Sequence, residues 1–212
     1  MRFEDGSCSA VDDGCGQEQT AKLCPVVDEY WLALPRGTPV HTCHKLDLCK
    51  TTWPPDAGRP PKTPAWSAAF VSAMFAKSEF EKTEFRRASS HASYIAAARD
   101  SFTSAYEVVP TPAVASVGDL ICAPRQEATE SIFPKTLNLI VGGGEPTKMH
   151  CDVVVAASDR YVEAIGGNVQ QSVAKSIVEL DEQGRVAYDL NSHRPWVLVM
   201  KARKANARPV GS

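Results

Sequence analysis

The sequence has no apolar run near the roughly 18–20 residues that a membrane helix needs, so no span is expected. It has no excess of basic charge either. Its 23 Lys and Arg stand against 25 Asp and Glu, a net charge of −2, which gives nucleic acid or an anionic surface no electrostatic footing. No internal repeat, low-complexity tract or C-x-x-C pair occurs. The opening stretch, MRFEDGSCSAVDDG, is acidic and polar where a secretory leader would be basic and then apolar. A glycine-rich GGGEPTK at 142–148 lacks the order of a phosphate-binding loop, and no helix is expected after it. What is present is the composition of a globular chain. Hydrophobic residues make up 43% and charged residues 23% of 212, enough for one domain with a buried core.

Five of the seven cysteines, Cys8, Cys15, Cys24, Cys43 and Cys49, fall in the first quarter of the chain. One reading is a loop-rich segment stapled by one or two disulfides, which would place the protein outside a reducing cytosol. The other is a metal site at His41, Cys43, His44 and Cys49, although that spacing matches no standard zinc finger. Residues 20–34 read as a short helix with Leu23, Val26, Val27, Tyr30 and Leu34 on one face. Five prolines within 51–64 then make a connector. The division expected is a Cys-rich extension over 1–60 and a folded domain over 61–204.

Within that domain the period is first helical. Thr63 and Pro64 suit the N-cap and first position of a helix carrying Trp66, Ala69, Phe70, Ala73 and Met74. A second helix is expected from Ser89 or Ser90, with Ile95, Ala98 and Phe102 on its apolar face, and Pro110 and Pro112 close the helical part. The period then changes to that of short Val- and Ile-rich strands at 118–125, 149–157, 160–167, 172–180 and 194–202. This predicts an α+β fold, with helices on one side of an antiparallel meander of about five strands. The connection at 126–148 is long enough to suggest a functional loop.

Three features carry candidate chemistry. Ser67 sits in the first turn of a helix, where free backbone N–H groups and the helix dipole favour developing negative charge. His150 opens a strand, and Asn168 follows Gly166 and Gly167 at the end of the next one. If the two strands are neighbours, His150 as general base and Asn168 as its orienting partner face each other. Asp152 projects on the same side as His150, two residues along, and Cys151 points away. Each candidate has a plain structural counterpart. Ser67 suits close helix packing, Asn168 a turn, Asp152 a salt bridge, and Trp66, Phe70 and Tyr94 a core.

These elements resemble those of the NlpC/P60 and CHAP cell-wall hydrolases, within the papain-like superfamily, and more closely the DUF2272 branch. The resemblance rests on Trp66–Ser72 (WSAAFVS), His91-x-x-Tyr94-Ile95, Gly118–Ile121 (GDLI), the run HCDVV from His150, and Ile165–Val169 (IGGNV). It spans roughly residues 61–200 and leaves the first 50 outside. It implies a papain-like fold and hydrolysis of an amide in the peptide part of bacterial peptidoglycan. By position, Ser67 takes the nucleophile place, His150 the base place and Asn168 the orienting place. His91, Asp152, Glu163 and Trp66 are supporting candidates. Most of the superfamily has Cys where this chain has Ser67. No cofactor is expected. The partners implied are peptidoglycan peptide and, for a secreted antibacterial effector reaching the periplasm without a leader, an immunity protein or a secretion-machine component. Two alternatives stand beside this reading: a non-catalytic cell-wall or protein-binding module, and a zinc hydrolase using His91, His150 and Asp152.

Overall fold

The computed structural model describes residues 24–38, 65–125, 148–169, 172–189 and 194–203. Most of the early cysteines, the His41–Cys49 cluster, Thr63, Pro64 and most of the 126–148 connection lie outside the described residues. Among these residues, three helices precede or flank a six-stranded antiparallel sheet: α1 (Cys24–Leu32), α2 (Ser67–Lys77), α3 (His91–Asp100), β1 (Tyr106–Pro110), β2 (Leu120–Pro124), β3 (Met149–Ala157), β4 (Tyr161–Val169), β5 (Ser172–Glu179) and β6 (Leu198–Ala202).

The class is α+β, as expected, but the sheet has six strands rather than about five. Its order is β1-β6-β2-β3-β4-β5. Strands β2 to β5 form the expected meander. β6 returns to sit between β2 and β1, pairing Met200 with Leu120 on one side and with Val108 on the other. The additional strand is β1. Its five residues end on Pro110, and in sequence they read as the tail of the helical part.

Alternation along the strands divides the core in two. Leu120, Cys122, Met149, Cys151, Leu198 and Met200 pack with the helices in one cluster. Ile121, Ala123, Val154, Val162, Ala164 and Val199 form a second cluster on the other face, closed by Trp196, Val186 and the 113–115 segment. The helices therefore lie on one side of the sheet. Cys122 and Cys151 are direct register partners in β2 and β3, and they are joined by a disulfide.

Helix α2 is apolar or small around most of its circumference. Ala68, Ala69, Val71, Ser72 and Ala73 are all buried, as befits a helix packed on several sides. It lies so close to β4 that a Cβ on Gly167 would sit 2.5 Å from Phe70 Cβ. Only glycine permits that approach. On the outer side α1 packs against α2, with Tyr30 stacked on Trp66 at 5.6 Å and edge-on to Phe70 at 5.3 Å. Val27, Tyr30 and Leu34 of the expected apolar face are buried, whereas Val26 is 41% exposed. In α3, Ile95 and Ala98 are buried. Phe102 is 95% exposed, because the helix ends at Asp100 and Phe102 no longer follows its face.

Candidate active site

Trp66 is the N-cap of α2, so Ser67 is the first helical residue. Phe70 N–H is already bonded to the Trp66 carbonyl at 2.9 Å. The amides of residues 67–69 come before that first helical bond, at the positive end of the helix. Ser67 Oγ lies 2.6 Å from Nε2 of His91, the first residue of α3. The other ring nitrogen of His91, Nδ1, contacts the hydroxyl of Tyr94 one turn along the same helix. The spacing i, i+3 places the two side chains on one face. A chain Ser67–His91–Tyr94 results, with Ser67, His91 and Tyr94 all buried.

The second half of the site comes from the sheet. Arg125 follows β2 directly. One terminal guanidinium nitrogen donates to Ser67 Oγ at 2.7 Å and lies 3.4 Å from His150 Nδ1. Its Nε donates to the Met149 carbonyl at 3.3 Å. Arg125 thus stands between Ser67 and His150. On the far side of His150, Nε2 lies 2.7 Å from Asp152 Oδ1. That is an ion-pair separation, yet the ring N–H is not aligned on the oxygen, and neither atom has a properly directed hydrogen bond among the described residues. Asp152 Oδ2 accepts from Arg194 at 2.9 Å. Asp152 is fully buried, so this pairing is what makes its charge tolerable.

The room for Asp152 comes from β4. A Cβ on Gly166 would lie 1.9 Å from Asp152 Oδ1 and 3.1 Å from His150 Nε2. The Gly166–Gly167 pair therefore has two separate reasons. Gly167 admits α2 on one face, and Gly166 admits the His150–Asp152 pair on the other.

Electrostatics set the protonation states. Burial first, then His150 and Arg125, hold His91 well below the ordinary imidazole value. At neutral pH it is uncharged, with one nitrogen free to accept. Burial, and then the Asp152 charge, push the Tyr94 phenol well above its usual range, so it keeps its proton. Ser67 Oγ accepts from Arg125 and retains one hydrogen of its own. Donating that hydrogen to His91 Nε2 assigns the ring proton to Nδ1, facing the Tyr94 oxygen. This is the tautomer that a nucleophile–base pair requires.

The histidine nitrogen on Ser67 is thus that of His91. His150, expected in that place, is one guanidinium away, with its ring centre 5.4 Å from that of His91. Asn168 lies at the irregular end of β4, half-buried, with a left-handed φ of 56°. Asp152, rather than Asn168, faces His150 Nε2. Glu163 is engaged by Lys175 at 2.9 Å, three residues along β4 from Gly166. Trp66 is buried between α1 and the sheet. Among the described residues, no group of three or more His, Cys, Asp or Glu side chains is arranged to hold a metal ion. His91 turns its nitrogens to Ser67 and Tyr94, and Asp152 turns its oxygens to His150 and Arg194.

Arg125, Arg194 and Tyr94 were not among the site candidates. Tyr94 carried a signal, its spacing of three from His91 on a helix. Arg125 carried a weaker one, as a charge ending an otherwise apolar strand. Arg194 carried none.

The profile of a bacterial protein family, described as "Uncharacterized protein conserved in bacteria (DUF2272)", matches residues 26–202. The chain belongs to this family. The DUF2272 match begins within α1, ahead of the boundary near residue 61 drawn from the sequence, and agrees with the packing of α1 on α2. It takes in every residue of the site just described. Searches of curated proteins and of solved structures find no match.

Proposed function

We propose that this DUF2272 chain is a serine amide hydrolase of NlpC/P60-like, papain-like architecture, acting on the peptide part of bacterial peptidoglycan. The observation that carries the reading is the 2.6 Å contact between Ser67 Oγ and His91 Nε2 at the start of a helix. In the reaction, Ser67 Oγ forms a bond to the scissile carbonyl carbon and its proton passes to His91 Nε2. The C–N bond then breaks, and the amine leaves with that proton. Water hydrolyses the resulting acyl-serine by the same route. Arg125, already on Ser67 Oγ, offsets the negative charge that develops, together with the free amides of the first turn. His150, backed by Asp152, is a second acid–base group on the other side of Arg125.

The order of the five sequence elements supports the cell-wall substrate. The Cys122–Cys151 disulfide fits work in an oxidising compartment such as the periplasm. Delivery there as an antibacterial effector, with an immunity protein as partner, belongs to the same proposal.

A specific observation favours the binding-module alternative. Ser67 is only 1% exposed and its hydroxyl is engaged by both His91 and Arg125, as a purely structural hydroxyl would be. Labelling with a serine-directed fluorophosphonate separates the two. The hydrolase reading expects one adduct, on the peptide containing Ser67, that is lost in His91→Ala. An unlabelled Ser67 in folded protein that is active on cell wall would remove Ser67 as nucleophile. An unlabelled and inactive protein would favour the binding module.

A further inference from the structure

The opposite end of α2 borders a cavity of about 470 Å3 that has no part in the Ser67 site. Ser67 and the cavity residues Met74, Phe75 and Ser78 are 7–11 positions apart on the helix, or about 10–16 Å at 1.5 Å per residue. The volume lies within the roughly 300–1,000 Å3 usual for small-molecule sites.

Its wall is aromatic and preformed. Phe75 stacks on Phe85 and meets Phe80 and Tyr106 edge-on, with centroids 5.1 and 5.4 Å away. Val153 and Val117 extend the apolar lining. The polar groups come from the end of β6 and from Asp119, and they are unevenly occupied. Asp119 is consumed by the fold: it accepts from Ala202 N–H and Ser116 N–H, each at 2.8 Å, and lies 3.4 Å from Lys201 Nζ. Lys201 also donates to the Val114 carbonyl at 2.6 Å. Arg203 differs. Its backbone is pinned by an N–H bond to the Ala105 carbonyl at 2.7 Å. One terminal nitrogen donates to the Phe102 carbonyl at 2.9 Å. Its Nε is buried with no hydrogen-bond partner among the described residues. Nε itself is closed off, so a ligand in the cavity meets Arg203 through its remaining terminal nitrogen, which has no hydrogen-bond partner among the described residues. Among the described residues, no carboxylate forms an ion pair with this cation. The rim beside it is apolar: Phe102, whose carbonyl holds Arg203, is 95% exposed, and Val117 is 63% exposed.

We infer that this cavity is a second ligand site, for a small molecule that joins an apolar body to a single carboxylate, with the body on Phe75, Phe80 and Tyr106 and the carboxylate on Arg203. An apolar wall and one under-used arginine specify that chemistry. A neutral apolar ligand would leave the guanidinium unanswered, and a strongly polar anion would waste the aromatic wall. A lipid-derived acyl carboxylate and the C-terminal residue of a released peptide both present this chemistry.

Calorimetric titration of the full chain tests the inference with four probes: sodium octanoate below its micelle concentration, octanol, N-acetylphenylalaninate and acetate. Octanoate or N-acetylphenylalaninate should bind at least tenfold more tightly than octanol and acetate. Whichever of the two binds better identifies the source. Arg203→Gln keeps a donor for the Phe102 carbonyl but removes the charge, and should weaken carboxylate binding about tenfold or more while leaving octanol unchanged. Arg203→Lys should recover part of the loss. Met74→Trp, which fills the cavity from a half-buried position, should abolish binding of all apolar probes. Equal affinity for octanol and octanoate, indifference to Arg203→Gln, or no binding by the folded parent would each overturn the assignment.

Discussion

Replacing Gly166 with alanine should damage the protein through Asp152. The added Cβ would lie 1.9 Å from Asp152 Oδ1 and 2.7 Å from its Cγ, far inside any tolerable contact. Asp152 has nowhere to retreat. It is fully buried and held on one side by Arg194 at 2.9 Å and on the other by His150 at 2.7 Å. Inserting a methyl group into a filled core typically costs about 1–3 kcal/mol. Breaking a buried ion pair by displacing one partner typically costs about 3–5 kcal/mol. The two costs overlap, because the methyl acts by moving the carboxylate, so roughly 2–5 kcal/mol is expected overall. At about 2–4 °C per kcal/mol for a chain of this size, the melting temperature should fall by roughly 5–20 °C. Calorimetric melting of four proteins isolates the cause: the parent, Gly166→Ala, Asp152→Ala and the double variant. Removing the carboxylate removes what the methyl strikes, so the double variant should be little worse than Asp152→Ala alone. Strict additivity, or a Gly166→Ala protein within about 0.5 kcal/mol of the parent, would refute the argument that Gly166 is glycine to admit Asp152.

Three further outcomes follow from the same geometry. His91 is held neutral by burial, so below the ordinary imidazole value the unfolded chain binds a proton that the folded one does not. Stability should therefore be level above about pH 6.5 and fall as pH drops below it, and His91→Gln should flatten that slope by about 1.4 kcal/mol per pH unit in urea titrations; an unchanged slope would mean that His91 is charged in the fold. The Cys122–Cys151 disulfide has a sequence separation of 29, and its loss in the Cys122→Ala/Cys151→Ala variant should cost about 3–4 kcal/mol by chain entropy, read from chemical unfolding, with a loss below 1 kcal/mol counting against that account. Ser67→Cys should retain or raise amide hydrolysis, since a thiol gains more than a hydroxyl from a helix N-terminus and a neighbouring cation, and a dead but folded Cys variant would argue against a nucleophile at this position.

The class and most elements of the fold were legible in the sequence because each depends on a local period. Strand β3 begins and ends where its Val-rich run does, and the punctuation at Ser90 marks the start of α3. The strand β1 was not legible, because its five residues carry too little alternation and its partner β6 lies about 90 positions later. The placement of Asp152 beside His150 followed from strand alternation alone. The pairing of Ser67 with His91 did not, because it depends on how α3 is laid against α2, and no periodicity encodes that. Arg125 and Arg194 were hidden for a related reason: each acts from the end of an apolar run, where a charged residue ordinarily marks only the return to solvent. The Cys122–Cys151 disulfide was not legible, because it is set by the register of β2 on β3 and not by cysteine spacing; most of the early cysteines expected to pair with one another lie outside the described residues.

Release of peptide fragments from purified bacterial cell wall, compared among the parent, Ser67→Ala, His91→Ala and His150→Ala, tests the central claim most directly. The account predicts hydrolysis by the parent and a loss of several orders of magnitude in both Ser67→Ala and His91→Ala, with His150→Ala also impaired. A folded Ser67→Ala protein that cleaves as well as the parent would contradict it.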